Sequence, residues 1–240
     1  MPGSHYIALS GLRTRVDALD RLASDLANVG TTGYKGERDT TAAAERPTFD
    51  RSLQSAIDTT SGGRRVDMSN GALAPTGRAL DVALDGAGFF VVDTPNGPRY
   101  TRNGHFSMDT DRKLVTEDGM TVQGTDGPIT VGDGEVRVDG DGSVWADQTK
   151  AGQLLVVKFE DAGQLGRDQG SRLRADGLTP TTVEAPRVSG GALEQSNVSV
   201  ANRLAQLTTL SRGFEALQKS ISMLMNDVDG RAIDQLGRRS

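Results

Sequence analysis

The residues whose spacing most resembles a metal site are Asp139, Asp141 and Ser143, which alternate with glycine, with Asp147 following. Carboxylates and hydroxyl groups at alternating positions are found in calcium-binding loops, but a complete loop also needs a bidentate glutamate at its twelfth position, and this segment lacks it. We therefore expect a plain β-turn, in which glycine accepts a positive φ and aspartate binds its own backbone. We also expect a plain turn at Asp109 and Asp111, whose spacing is similar.

Candidates for catalysis are few. The chain has two histidines, His5 and His105, and each stands alone in the sequence, which favours solvated side chains over bases or metal ligands. No Gly-x-Ser-x-Gly elbow, phosphate-binding Walker loop or Gly-x-Gly-x-x-Gly after a strand is present. Cysteine is absent, which removes thiol chemistry and thiolate zinc sites. The sequence predicts no catalytic residue, cofactor, metal or small-molecule substrate.

Composition narrows the class of protein further. The net charge is −5 and the sequence has no basic cluster, which argues against nucleic-acid binding. No apolar stretch approaches the length of a transmembrane helix. The N-terminus has neither the basic flank nor the apolar run of a secretory signal peptide, so we expect no cleaved signal.

Two amphipathic segments stand at opposite ends of the chain. Their apolar residues recur every three or four positions, which predicts helices with a narrow apolar stripe suited to coiled-coil packing. We expect the first helix to end near Val29, before a cluster of glycine and threonine, and the second to begin near Asn197. The apolar positions are Leu9, Leu12, Val16, Leu19, Ala23 and Leu26 in the first helix and Leu207, Leu210, Phe214, Leu217, Ile221, Leu224 and Val228 in the second.

The middle of the chain is predicted to be β-structure. Residues 62–191 hold 22 of the 30 glycines and six of the eight prolines, and short alternating segments are separated there by turn residues. Residues 80–85 alternate apolar and other side chains, which predicts a strand with one buried face. The strand candidates are 88–93, 99–108, 114–122, 135–139, 143–146 and 154–159, and their closely spaced turns favour an antiparallel sandwich or irregular barrel.

The sequence thus predicts an α+β fold. In this interpretation the N- and C-terminal helices form a coiled-coil-like helical part, and the central antiparallel β domain is an irregular barrel or sandwich. The predicted divisions are an N-terminal helix in residues 1–34, an extended connector in 35–61, a central β-rich domain in 62–191 and a C-terminal helix in 192–240.

Four segments resemble the signatures of one protein family, and they occur in the same order. They are SDLANVGTTGYK at residues 24–35, GALAPTGRALDVALDGAGFF at 71–90, YTRNGHF at 100–106, and GALEQSNV at 191–198 followed by RGFE at 212–215. Together they are similar to the flagellar basal-body rod and hook family of axial proteins. The length and the segment RGFEALQK resemble the proximal rod subunit more than the longer distal one.

This resemblance implies a structural role. Proteins of the family leave the cytoplasm through the flagellar export apparatus, assemble in the periplasm and form a rod that carries torque from motor to hook. The implied partners are copies of the chain, other rod subunits, neighbouring hook–basal-body components and the export apparatus. The implied assembly interface consists of the apolar helix positions named above and of Asn28, which lies in the first signature.

Three alternatives remain open from the sequence. The chain could be a distal rod or hook-type axial protein, or another tube or surface protein assembled from β domains. A periplasmic binding or enzymatic domain is the third alternative, and it would show a pocket with convergent polar groups and perturbed pKa values.

Overall fold

The computed structural model describes residues 2–39 and 64–237, and it describes the side chains of residue 13, of most residues in 15–38 and of most residues in 64–219. Within these residues there are two helices, α1 (Pro2–Ala27) and α2 (Val200–Gly237), and the elements between them are β-strands apart from a short 3₁₀ helix, Ala162–Gln164. No helix in the described ranges has the length and apolarity needed to cross a membrane.

Nineteen strands are present in the described residues, and they are short because turn residues interrupt the sequence so often. They are β1 (Glu37–Asp39), β2 (Arg64–Val66), β3 (Leu73–Pro75), β4 (Val82–Leu84), β5 (Phe89–Thr94), β6 (Gly97–Thr101), β7 (Phe106–Met108), β8 (Leu114–Thr116), β9 (Thr121–Gly124), β10 (Gly127–Pro128), β11 (Val136–Val138), β12 (Ser143–Ala146), β13 (Thr149–Gln153), β14 (Val156–Lys158), β15 (Gly166–Arg167), β16 (Arg172–Arg174), β17 (Thr181–Thr182), β18 (Val188–Gly190) and β19 (Ala192–Glu194).

All strand pairings among the described residues are antiparallel. The largest sheet runs in the order β15-β16-β6-β5-β9-β8-β7, with β10 beside β9 and with β14 between β5 and β17. A second sheet has the order β11-β12-β13, and β1-β2, β18-β4 and β19-β3 form two-stranded sheets. Several neighbours in the sheets are also neighbours in sequence, as expected where short turns connect consecutive strands.

The chain divides into two compact units. One unit contains α1 up to Leu26 and, from Ser199 onward, the segment that includes α2, and the other contains Ala27–Asp39 and Arg64–Val198. We call the second the β unit, because all of the described strands lie in it.

Strand β5 separates two apolar cores within the β unit. Phe90 and Val92 point into one core, whereas Phe89 and Val91 point into the other. Successive side chains of a strand point to opposite faces, so a strand buried on both faces must be apolar at every position. This explains the continuous apolar run at the start of β5.

The prediction of a coiled-coil-like helical part is wrong. The structure consists mostly of β-strands, with one helix near each end, although the predicted central β domain is present. In a coiled coil the apolar stripe is buried, but Val16 is 41% exposed and Ala23 is exposed. Among the described side chains of α1, those of Leu22 and Asp25 are buried, and they lie about 90° and about 150° around the helix from the centre of the predicted stripe.

A pair of charges explains why this other face of α1 is buried. The Asp25 carboxylate is 1% exposed and lies 2.9 Å from the guanidinium of Arg203 on α2. Gly213 of α2 leaves room for Arg15, because a Cβ at Gly213 would lie 2.8 Å from Arg15 Nη1. The described contacts between the two helices thus involve charged residues and a glycine, which the spacing of apolar residues does not predict.

Candidate functional site

The segment that follows α1 ends the helix with a turn and then enters the β unit. The Thr31 amide donates to the Asn28 carbonyl at 3.0 Å, and the Thr31 hydroxyl lies 3.2 Å from Asn28 Oδ1. Gly33 has a φ of +66°, and a Cβ there would lie 2.3 Å from the main-chain nitrogen of Asn103. Only glycine fits both the backbone conformation and this close approach. The turn therefore brings Tyr34 and Lys35 into the β unit.

Lys35 and Glu194 form a buried ion pair between this segment and β19. Lys35 Nζ donates to Glu194 Oε1 at 2.6 Å and to the Ser69 carbonyl at 2.7 Å, and the two charged side chains are 2% and 1% exposed. The Gly71 amide donates to the same Oε1 at 3.0 Å. The pair thus joins three separate segments of the chain.

Arg102 binds the other oxygen of this carboxylate. Its Nη1 donates to Glu194 Oε2 at 3.2 Å, and its Nη2 donates to the Gly86 carbonyl at 2.7 Å. Burial lowers the pKa of Lys35 and the pKa of Arg102 in spite of their pairing with Glu194. Burying charges is costly unless they are paired and hydrogen-bonded, so the two cations depend on this single carboxylate.

Asn197 makes a second connection beside the ion pairs. Its Oδ1 accepts a hydrogen bond from the Gly36 amide at 2.8 Å, and its Nδ2 donates to the Asp67 carbonyl at 2.9 Å. Its own amide donates to the Tyr34 carbonyl at 3.3 Å. We call Lys35, Arg102, Glu194 and Asn197 the Glu194 joint.

Next to the Glu194 joint, the side chain of Arg167 packs against the ring of Tyr34. Tyr34 is 1% exposed, and the Arg167 guanidinium carbon lies 4.3 Å from the centre of its ring. Arg167 Nε also forms a 2.7 Å ion pair with Glu37 Oε1, and Arg167 Nη2 donates to the Lys35 carbonyl. Residues 34–37 are therefore fixed by contacts on several sides.

The Glu194 joint has a structural role, because it links segments that are distant in sequence. Both oxygens of Glu194 accept hydrogen bonds, and its carboxylate is 1% exposed, so it cannot reach a substrate in solution. The joint connects the segment after α1 and the segment before α2 to the same part of the β unit.

The predicted interface residues occupy different environments. On α1, Val16 and Ala23 are exposed and Leu19 and Leu26 are half-buried, while on α2 the described stripe residues Leu207, Leu210 and Phe214 are half-buried. Asn28 is half-buried in the turn after α1. The side chains of Leu9, Leu12, Leu217, Ile221, Leu224 and Val228 lie outside the described residues.

The segment with calcium-like spacing is a turn between β11 and β12. Both carboxylate oxygens of Asp141 bind Ser143, one through its amide and one through its hydroxyl, each at 2.9 Å. These bonds lower the pKa of Asp141. Gly142 has a φ of +82°, and its amide donates to the Asp139 carbonyl at 3.0 Å. No group of three or more potential metal ligands was found in the described parts of the chain.

His105 has charged neighbours that the sequence did not reveal. Its Nδ1 lies 2.8 Å from the carboxylate of Asp81, which is buried, and its Nε2 lies 2.9 Å from Arg78 Nη1. The backbone of Asp81 also pairs with that of His105. The side chain of His5 lies outside the described residues.

Comparison with known proteins gives the family of the chain. The description "Flagellar hook protein FlgE/F/G D1 domain" matches residues 83–146, and "Flagellar basal body rod FlgEFG protein C-terminal" matches residues 189–229. The flagellar basal-body rod protein FlgG of Bacillus subtilis is 31% identical over 91% of this chain and 94% of its own length. The chain belongs to the flagellar basal-body rod protein family.

Relatives named FlgF match along almost the entire chain. The rod protein FlgF of Caulobacter vibrioides is 30% identical over 99% of both chains, and that of Escherichia coli is 32% identical over 95% of both chains. The chain is therefore a FlgF-like structural subunit of the basal-body rod. This confirms the resemblance seen in the four signatures and the predicted rod function.

The Glu194 joint was not predicted from the sequence, although its residues lie in the quoted signatures. Lys35 ends the first signature, Arg102 lies in the third, and Glu194 and Asn197 lie in the fourth. The available signal was a set of charged or amide residues inside otherwise apolar or glycine-rich segments. Which of them meet depends on long-range contacts, and those follow only from the strand pairing.

Proposed function

We propose that this rod subunit is built into the proximal part of the rod and carries torque from the motor to the hook. The observation that carries the proposal is the end-to-end match with FlgF of Caulobacter vibrioides, which covers 99% of both chains. The FlgG relatives have similar identities but match less of this chain. A distal rod position is therefore the second candidate.

We further propose that the chain is exported through the flagellar export apparatus without a cleaved signal peptide and assembles in the periplasm. Its partners there are copies of itself, other rod subunits and neighbouring hook–basal-body components. It acts as a structural element, with no nucleic acid and no small-molecule substrate. Its relatives bear the names of structural rod proteins, which supports this role.

The apolar faces of α1 and α2 are the proposed assembly interface. Val16 of α1 and Val200 and Leu204 of α2 are 41%, 43% and 47% exposed. Apolar side chains exposed next to each other on a helix gain free energy when a partner covers them. We propose that these residues, with the predicted interface positions and Asn28, contact neighbouring subunits in the rod.

The division of the chain into residues 1–34, 35–61, 62–191 and 192–240 remains part of this proposal. According to this proposal, residues 1–34 and 192–240 contact other subunits, and these contacts hold the central β-rich region in the rod. The Glu194 joint supports this division of labour, because it fastens residues next to both end segments to the β unit.

The experiment is complementation in a strain that lacks the gene for this chain. We expect the deletion to abolish swimming, and the expressed chain to restore swimming and to be recovered in purified hook–basal bodies. Normal swimming of the deletion strain, or recovery of the chain only in the cytoplasm of complemented cells, would contradict the proposal.

A further inference from the structure

A cleft of about 210 Å³ opens in the β unit beside the start of β5. Its apolar wall includes Met68, Phe89 and Phe159, and the two phenyl rings are 6.0 Å apart. Its polar lining includes Arg102 and Lys158. Among the described residues no carboxylate lines the cleft, and its two charged lining residues are cations.

Arg102 lines this cleft and has one nitrogen without a hydrogen-bond partner in the described part of the chain. Arg102 is 4% exposed, and its two other guanidinium nitrogens donate to Glu194 and to the Gly86 carbonyl. Its Nε is buried and has no hydrogen-bond partner among the described residues. A buried donor without a partner costs free energy, so an acceptor that reached it would be favoured.

The local charge also favours an anion. Lys35 and Arg102 share the single carboxylate of Glu194, and the exposed Lys158 adds a third positive charge at the cleft. Asp67 is close enough to act on Lys35 but does not line the cleft. A carboxylate is therefore the complementary group, and the phenyl rings favour one attached to an apolar stem.

We propose that this cleft binds a carboxylate on an apolar stem, and that an acidic side chain from a second copy of this chain occupies it in the rod. The chain has 32 acidic residues against 27 basic ones, so copies of it offer many carboxylates. Asp133, for example, is 99% exposed, although its carboxylate lies 3.3 Å from the Arg112 guanidinium in the single chain. The choice of occupant rests on the proposed rod function, whereas carboxylate binding by the cleft does not.

The first test uses purified full-length chain and 3-phenylpropionate, with the neutral 3-phenylpropionamide as the matched control. We expect the amide resonances of Gly86 and Gly88 to shift saturably with the carboxylate and much less with the amide. The variant Lys158→Gln should weaken binding about three-fold, because a partly exposed charge pair is worth up to about 1 kcal/mol. Lys150→Gln, on an exposed residue of β13 away from the cleft, should bind as the parent does. Equal shifts with both compounds, or equal weakening by both variants, would overturn the site.

The second test identifies the occupant. A photo-crosslinking amino acid at position 158, and one at position 150 as control, is introduced into chains that assemble in cells, and cross-linked peptides from purified basal bodies are sequenced. We expect position 158 to yield an acidic peptide of this same chain in a dimeric product. A peptide from another axial protein, or no product, overturns the second copy as occupant. Recovery of the chain in the basal bodies still supports the rod function in either case, whereas its absence contradicts that function itself.

Discussion

Glu194 is the residue on which the connection between distant segments depends most. Its carboxylate is the shared partner of Lys35 and Arg102, and all three side chains are almost completely buried. Removing one partner of a buried ion pair leaves an uncompensated charge, which is far more costly than the pair itself is favourable.

We predict that Glu194→Gln lowers the free energy of unfolding by about 3–5 kcal/mol, because the substitution keeps the shape but leaves two buried cations unpaired. Urea unfolding followed by the fluorescence of Trp145, the single tryptophan of the chain, measures this in the β unit. Glu117→Gln, at an exposed turn, is the control and should change stability by less than about 0.5 kcal/mol. Equal stabilities of the two variants would show that the joint is unimportant.

Asp141 gives a pH-dependent prediction. Because Ser143 donates two hydrogen bonds to its carboxylate, the pKa of Asp141 is lower in the folded chain than its ordinary value of 3.8. Stability from such a group is present above the unfolded pKa and is lost as pH falls through the folded pKa. The parent should therefore be more stable than Asp141→Asn at neutral pH, and the difference should shrink once the pH falls below 3.8. A difference in unfolding free energy that stays constant as the pH falls well below 3.8 would contradict this account.

The residue scale also shows what sequence patterns leave out. The turn chemistry of Asp141 could be predicted because its hydrogen bonds are local. The bond from Lys35 to Glu194 joins residues 159 positions apart, and no local pattern specifies it. The same holds for Asp25 and Arg203, which pair between two helices.

At the scale of elements, the turn after α1 depends on Gly33. A Cβ there would collide with the backbone of Arg102 and Asn103, and its positive φ disfavours other residues. We predict that Gly33→Ala lowers the free energy of unfolding by about 2 kcal/mol or more, since backbone atoms cannot move aside cheaply.

Gly30→Ala is the matched control for this prediction. A Cβ at Gly30 would meet no atom within 4 Å, and the residue is not among those with positive φ. Thermal unfolding of the two variants should differ clearly, with Gly30→Ala close to the parent. If both variants unfold like the parent, Gly33 does not anchor the turn.

The alternation of apolar and polar residues predicted some strands correctly and others only in part. The segment 143–146 was predicted and is strand β12, but the predicted strand 99–108 is interrupted between β6 and β7. There the side chains of Thr101 and Asn103 accept hydrogen bonds from nearby backbone amides, which competes with strand pairing. The segment containing β4 was expected to have one buried face, yet all three residues of β4 are buried, including Ala83 between the core residues Val82 and Leu84.

At the scale of the whole molecule, antiparallel pairing could be predicted, whereas the role of the helices could not. Short strands with frequent turns leave few alternatives to antiparallel sheets. The apolar stripes correctly located the helices but did not specify a coiled coil, because Leu22 and Asp25 set the buried face of α1. The spacing of apolar residues predicts that a helix forms more reliably than it predicts which element the helix packs against.

We predict that Leu204→Asp leaves the chain folded but reduces its incorporation into basal bodies by at least about tenfold. Leu204 is 47% exposed in the single chain, so the substitution costs little there, whereas a carboxylate buried against a neighbouring subunit costs several kcal/mol. Ala205→Asp adds the same charge at an adjacent exposed position and is the control. Swimming tests and quantification of the chain in purified basal bodies measure the effect, and equal incorporation of both variants would refute the proposed interface.

Cryo-electron microscopy of basal bodies isolated from the parent bacterium tests the central claim most directly. We predict density in the proximal rod that the β unit fits, with Phe89 and Phe90 on opposite faces of β5 and with α1 and α2 against neighbouring subunits. A rod whose density is fully accounted for by other chains, with this chain absent from it, would contradict the account.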